Sequence, residues 1–138
     1  MTAGDVDADF LRTLTVLYVE DDADAGEEIN AFLRRRVGKL VTAAQGAEGL
    51  AAFRSVNPDL IVTDIQMPRL NGFDLCRALK ADPRTAGIPV IITSALASQP
   101  EIDRGLAAGA IAYFSKPLSP IALENLMRSL LPLLPPRE

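Results

Sequence analysis

Four places in the chain set reactive side chains at the end of a short apolar run. Glu20-Asp21-Asp22 follows Leu14 to Val19, Asp64 follows Leu60 to Thr63, Thr93-Ser94 closes the run from Ile88, and Lys116 follows Ile111 to Ser115. A single aspartate in such a place is common as a turn or cap residue, so none of these groups carries a function alone. Together they specify a chemistry. Carboxylates crowded at one place repel one another unless a hard cation joins them, and a donor set made only of oxygens suits Mg2+. A divalent ion, an ammonium and a hydroxyl around one carboxylate form a site for phosphoryl transfer. The positive groups neutralise the phosphoryl oxygens, the hydroxyl donates a hydrogen bond, and the central carboxylate can act as the nucleophile.

These groups meet only if the four runs are parallel strands that share their carboxyl edge, the edge at which open α/β sheets bind ligands. Leu60 to Thr63 is apolar and β-branched between Asn57-Pro58 and a segment with Pro68 and Gly72, which reads as a strand buried on both faces. Leu14 to Val19 and Ile88 to Thr93 read the same way, Ile111 to Ser115 reads as a last strand, and Lys39 to Ala43 as a weak one. Between them lie helical patterns over 23–36, 46–54, 72–81 and 98–108, with a final helix capped by Ser119, carrying Ile121, Leu123, Leu126, Met127, Leu130 and Leu131, and ended by Pro132. Glu27 and Glu28 near the start of the first helix and Arg34-Arg35-Arg36 at its end match the helix dipole. Strand and helix thus alternate five times, which predicts an α/β doubly wound parallel sheet with five helices on its two faces and right-handed crossovers.

Composition removes several other classes. The chain has no histidine and one cysteine, so serine-histidine and cysteine-histidine catalysis, imidazole-bound zinc and an internal disulfide are all excluded within it. Cys76 reads as a small core residue. A net charge of −4 with no long basic run argues against direct nucleic-acid binding, which depends on neutralising phosphates. No apolar run is long enough to insert in a membrane and the first residues form no signal peptide, so a cytoplasmic location is expected. The 138 residues suit one domain: a flexible leader over 1–13, the folded domain over 14–131 and a Pro/Leu-rich tail over 132–138.

The motifs resemble, in order, those of the receiver domain of two-component response regulators, and the chain is similar to the single-domain chemotaxis type over about residues 14–131. They are VEDD after the first strand, D-x-x-M-P-x-x-x-G from Asp64 to Gly72, Ile91-Ile92-Thr93-Ser94-Ala95, G-A-x-x-Y from Gly109 to Tyr113, and Lys116-Pro117. The resemblance implies a flavodoxin-like fold with strand order 2-1-3-4-5. It implies Asp64 as phosphoacceptor, Asp21 and Asp64 as Mg2+ ligands with Glu20 acting indirectly, and the Gln66 backbone carbonyl as a further ligand. Ser94 matches the switch hydroxyl, with Thr93 as its rival should the register slip by one. Lys116 matches the lysine that contacts the phosphoryl group, and Tyr113 the aromatic that moves on activation. A cis Lys116-Pro117 bond is expected as well. The implied partners are a histidine kinase or phosphotransfer protein and a downstream protein effector, and members of the family can form homodimers. Not a conventional enzyme, such a domain catalyses its own phosphorylation and dephosphorylation. Two other readings stand beside this one. The first is a receiver-like module that binds proteins without phosphorylation. The second is a phosphatase of the haloacid-dehalogenase type, for which Asp22-Ala23-Asp24 has the letters in the wrong register.

Overall fold

The computed structural model describes residues 9–44, 46–65, 72–83, 85–95, 98–116 and 118–130. Strands and helices alternate as β1 (Thr15–Val19), α1 (Ala23–Arg36), β2 (Lys39–Ala43), α2 (Gly46–Val56), β3 (Leu60–Asp64), α3 (Gly72–Ala81), β4 (Val90–Ser94), α4 (Gln99–Ala107), β5 (Ala112–Ser115) and α5 (Pro120–Leu130). The five strands form one parallel sheet in the order β2-β1-β3-β4-β5, as expected.

All five residues in each of β1, β3 and β4 are buried, which is why these strands are mostly apolar, with polar residues only at Thr15 and at the exits of β3 and β4. The two-residue period of a strand divides their side chains between two cores. Leu17, Val19, Ile61, Val90 and Ile92 face one way and pack with Phe53 of α2 and with Phe73, Leu75 and Leu79 of α3. Val16, Tyr18, Leu60, Val62 and Ile91 face the other way and pack with Ile29 and Leu33 of α1 and with Leu123, Met127 and Leu130 of α5. β2 lies at the sheet edge and is only partly buried, which accounts for its weak sequence signal. Cys76 belongs to the first core, where its thiol donates to the Ala108 carbonyl at 3.3 Å.

Polar contacts at the amino edge fix the register of the two central strands. The Thr15 amide donates to Asp59 Oδ2 at 2.8 Å, while the Asp59 amide donates to the Thr15 carbonyl at 2.8 Å. The Ser119 hydroxyl accepts the Ala122 amide at 3.3 Å and caps α5 as the sequence predicts.

Several element ends differ from the sequence reading by one or two residues, and two of the differences have a physical cause in the contacts. β4 starts at Val90 rather than Ile88, because the Ile88 amide donates to Thr85 and the Ile88 carbonyl accepts Lys80 Nζ at 2.7 Å, leaving neither for the sheet. The end of the expected leader is structured: Asp9 to Leu11 form a helical turn, and Leu11 is 1% exposed in the second core. Leucine there removes apolar surface from water, a gain that composition alone does not show. The rest of the leader and the Pro/Leu-rich tail lie outside the described residues.

Candidate functional site

Strand parity brings the reactive groups together. Glu20, Asp64 and Lys116 each stand two residues beyond a member of the second core, namely Tyr18, Val62 and Phe114, so all three are set toward the α1 and α5 side of the sheet. Ladder hydrogen bonds continue one residue past the strand ends and hold this backbone. Glu20 N–H donates to the Ala43 carbonyl at 3.0 Å, Ile65 N–H to Thr93 at 3.1 Å and Lys116 N–H to Ser94 at 2.8 Å. Gly72, at the start of α3, closes the back of the site. A methyl group there would come within 2.5 Å of the Asp64 carbonyl oxygen and 3.0 Å of Ile65 Cα, so only glycine lets the helix pass this close.

The side chains meet as their types require. Lys116 Nζ donates to Asp64 Oδ2 at 2.9 Å and to Glu20 Oε1 at 3.0 Å. Glu20 Oε2 lies 2.7 Å from the same nitrogen yet is buried with no aligned donor, so it holds an ion-pair contact without a hydrogen bond. The Glu20 and Asp64 side chains are only 5% and 4% exposed, against 22% for Lys116. Two buried acids against one base account for the shifts of Glu20 and Lys116. Burial pushes the Glu20 carboxyl above the usual carboxylate range; the Lys116 hydrogen bond opposes this and the Asp64 charge adds to it. Burial works against the Lys116 ammonium as well, but its hydrogen bonds to Glu20 and Asp64 outweigh that and raise its pKa.

Glu20, Asp21 and Asp64 each offer a carboxylate oxygen, and these atoms lie within 4.8 Å of one another. Asp21 is exposed, so the cluster opens to solvent through it. Oxygen-only donors, a surplus of negative charge and a buried carboxylate oxygen without a hydrogen bond fit a hard divalent cation such as Mg2+. Asp22 is used elsewhere. Its Oδ1 accepts the Asp24 amide at 3.0 Å at the start of α1, which occupies the Asp22-Ala23-Asp24 triplet of the phosphatase reading with capping.

The other predicted residues fall as follows. Ser94, the last residue of β4, is fully buried. Thr93 pairs in register with Asp64, and its hydroxyl donates to the Thr63 carbonyl at 3.5 Å. Ser94 shares strand parity with Ile92, whose register partner is Tyr113. Tyr113 is half-buried against the first core and lies over Gly105 of α4, where a methyl group would come within 2.7 Å of its ring. Gln66 and Pro117 lie outside the described residues. Sequence reasoning passed over Tyr18. Burial first, then the charges of Glu20 and Asp64, raise the pKa of its phenol, so this side chain senses the site from below. A tyrosine two residues before Glu20 in an otherwise apolar strand was the signal available.

The comparisons with known proteins agree with this geometry. The family model described as "Response regulator receiver domain" matches residues 16–128. The DNA-binding response regulator MtrA of Mycobacterium tuberculosis (strain ATCC 25618 / H37Rv) is 34% identical over 114 residues, covering 83% of this chain and 49% of the relative. A gliding motility regulatory protein of Myxococcus xanthus is 43% identical over 105 residues, which are 76% of this chain and 14% of that protein. This chain thus spans about half the length, or less, of these curated relatives. Among solved structures, the signal receiver domain of a signal transduction histidine kinase from Syntrophus aciditrophicus superposes with a TM-score of 0.81 at 29% identity, covering 91% of this chain and 96% of that one. The chemotaxis protein CheY4 of Vibrio cholerae gives 0.79 at 26% identity, covering 86% of this chain and 99% of that one. With the sheet order, the acidic cluster and a family match over 16–128 in agreement, the chain belongs to the response regulator receiver domain family.

Proposed function

We propose that Asp64 accepts a phosphoryl group from the phosphohistidine of a histidine kinase or phosphotransfer protein, in a Mg2+-dependent reaction, and that the acyl phosphate switches a protein-binding surface. The observation that carries this reading is the Lys116 ammonium 2.9 Å from Asp64 Oδ2, beside two further carboxylates at the carboxyl edge of the sheet. One Asp64 carboxylate oxygen attacks phosphorus as the bond to the imidazole nitrogen breaks; the imidazole leaves with that electron pair and an acyl phosphate forms. Asp21, Asp64 and the Gln66 backbone carbonyl would hold Mg2+, with Glu20 behind them. When bound, the ion supplies positive charge to the phosphoryl oxygens and helps to align the transfer.

The protein's own groups do the rest. Lys116 is positioned to neutralise a phosphoryl oxygen on Asp64, and its ammonium stays charged because two carboxylates surround it. Ser94 donates its hydroxyl to a second phosphoryl oxygen. Since Ser94 has the parity of Ile92 and Tyr113, its movement is felt on the side of the sheet where Tyr113 packs over α4. The surface of α4, β5 and α5 is then the face that a downstream effector, or a second copy of the chain, reads. Attack of water on the phosphorus releases inorganic phosphate and restores the Asp64 carboxylate, so the domain resets itself. Among the described residues no helix is long and apolar enough to cross a membrane, and we place the reaction in the cytoplasm, where kinase and nucleotide meet.

Incubation with acetyl phosphate and Mg2+, followed by intact-mass measurement, tests the reading. The wild type should gain one phosphoryl group, and Asp64→Ala or omission of the metal should abolish the gain. An unchanged wild-type mass would leave a binding module without phosphoacceptor chemistry.

A further inference from the structure

Two threonine hydroxyls lie inside the sheet beside the acceptor, at positions where the fold would accept valine. Thr63 precedes Asp64 at the exit of β3, and Thr93 is the register partner of Asp64 in β4. They are 0% and 1% exposed. Every position before them in β3 and in β4 is Leu, Ile or Val, and burying a hydroxyl there costs free energy that valine would avoid. Membership of the core therefore does not explain the hydroxyls. The transfer chemistry assigned to Asp64, Lys116 and Ser94 uses neither of them.

Both hydroxyls act on the main chain that carries Asp64, and they reach it from opposite faces of the sheet. Thr63 has the parity of Ile61 and pairs in register with Val19, both in the first core. Thr93 has the parity of Ile91, in the second core, which is also the face of Asp64. From the first face the Thr63 hydroxyl donates to the Asp64 carbonyl at 3.0 Å. From the second, the Thr93 hydroxyl donates to the Thr63 carbonyl at 3.5 Å. The two carbonyls that flank Asp64, one before its amide and one after its Cα, thus each accept a side-chain hydroxyl. Asp64 is also the last residue of β3, where a peptide can tilt unless something besides the ladder holds it.

We infer that Thr63 and Thr93 are positioning residues for phosphoryl transfer: their hydroxyls fix the tilt of the two peptides on either side of Asp64 and so aim its carboxylate at the incoming phosphorus. The inference rests on the reading of Asp64 as the phosphoacceptor. Neither hydroxyl needs to touch the donor. A tilt of either peptide turns the Asp64 Cα–Cβ bond, and a small misplacement of a nucleophile is felt strongly in the rate. The bond from Thr93 is the longer and weaker of the two, so Thr63 contributes more.

The test compares Thr63→Val and Thr93→Val in the full chain, each beside its serine counterpart, Thr63→Ser or Thr93→Ser, which keeps the hydroxyl and loses only the methyl group. Phosphoryl incorporation from acetyl phosphate with Mg2+ is followed by intact mass, and thermal unfolding checks that each variant is folded. The rate should fall about three- to tenfold in Thr63→Val and less in Thr93→Val, as for the loss of one hydrogen bond, and serine should restore most of it. The side-chain carboxylate carbon signal of Asp64 is read by nuclear magnetic resonance on the unphosphorylated chain in chelator. It should move in both valine variants and return in the serine variants. Either valine variant carries the test if the other fails to fold. A wild type that takes up no phosphate refutes the acceptor reading, and the carbon signal then decides the positioning by itself. Wild-type rates in the valine variants, a loss of rate that serine does not restore, or an Asp64 signal that valine leaves in place overturns the inference.

Discussion

Replacing Lys116 with methionine removes a cation that touches both Glu20 and Asp64, and the structure sets the size of the consequence. The acids present oxygens within 4.8 Å of each other, each side chain 5% exposed or less. At an effective dielectric of about 20, two unit charges at that separation repel by roughly 3 kcal/mol. Because Lys116 is itself 22% exposed, solvent screens part of this, and a loss of about 2 to 3 kcal/mol is expected. For a domain of this size that corresponds to a fall of roughly 8 to 12 °C in Tm. Thermal unfolding followed by circular dichroism, in chelator at neutral pH, reads it directly. Two further results are required. Mg2+ should stabilise Lys116→Met more than wild type, since it supplies the missing positive charge, and Glu20→Gln in the same chain should recover most of the loss. The deficit should also shrink as pH is lowered. A carboxyl whose folded pKa is raised, as that of Glu20 is, binds its proton more tightly when folded, so the folded state gains stability as pH falls through that range. A Lys116→Met protein as stable as wild type in chelator, or one indifferent to Mg2+, would refute the reasoning that these three groups form one electrostatic unit.

Three other outcomes follow from single contacts. Gly72→Ala sets a methyl group against backbone atoms of Asp64 and Ile65 that cannot turn aside; it should cost about 1 to 3 kcal/mol in urea unfolding and slow phosphoryl incorporation, and full stability with a normal rate would contradict the close approach. Leu11→Ala should cost about 2 to 4 kcal/mol by the same measurement, because Leu11 is 1% exposed, whereas a loosely attached leader predicts almost no change. The raised Tyr18 phenol holds its proton more tightly in the folded state, so its contribution to stability is present below the ordinary phenol pKa and is lost as pH rises above it. In Tyr113→Phe, where Tyr18 is the only tyrosine left, phenolate absorbance should appear only as the chain unfolds at alkaline pH, and reversible ionisation at the ordinary phenol pH with the fold intact would show that Tyr18 does not face the acids.

Most of the architecture was legible because the signals were strong and local. Strands buried on both faces must be largely apolar, and β1, β3 and β4 are, apart from Thr15 and the polar pairs at the exits of β3 and β4; helices over 23–36 and 72–81 carry both periodicity and terminal signals and fall where the spacing predicts. The sequence also named the acids and the lysine, since each sits at a strand exit. What it missed depends on contacts between distant residues. Nothing near Ile88 announces that Lys80 takes its carbonyl, so the start of β4 was set two residues early. Leu11 lies between Phe10 and Arg12 in a stretch too short to show a period, and its burial comes from membership of the second core with residues as distant as Leu123. The cluster Arg34 to Arg36 reads as an ordinary helix end until Arg12 and Arg128 arrive beside it, a convergence that only the fold creates. Tyr18 was passed over for the same reason: an aromatic in a core strand is unremarked until two buried carboxylates are found above it.

The central claim is that one particular carboxylate becomes an acyl phosphate, and reductive trapping tests it at the level of the residue. The chain is treated with acetyl phosphate and Mg2+, reduced with borohydride, which converts an acyl phosphate to an alcohol, digested and sequenced by mass spectrometry. Homoserine at position 64, dependent on the metal and absent from the untreated chain, is the predicted result. Homoserine at position 21, or the alcohol expected from reduction of Glu20, would assign the acceptor to a different acid, and no reduced residue anywhere would contradict phosphoacceptor chemistry itself.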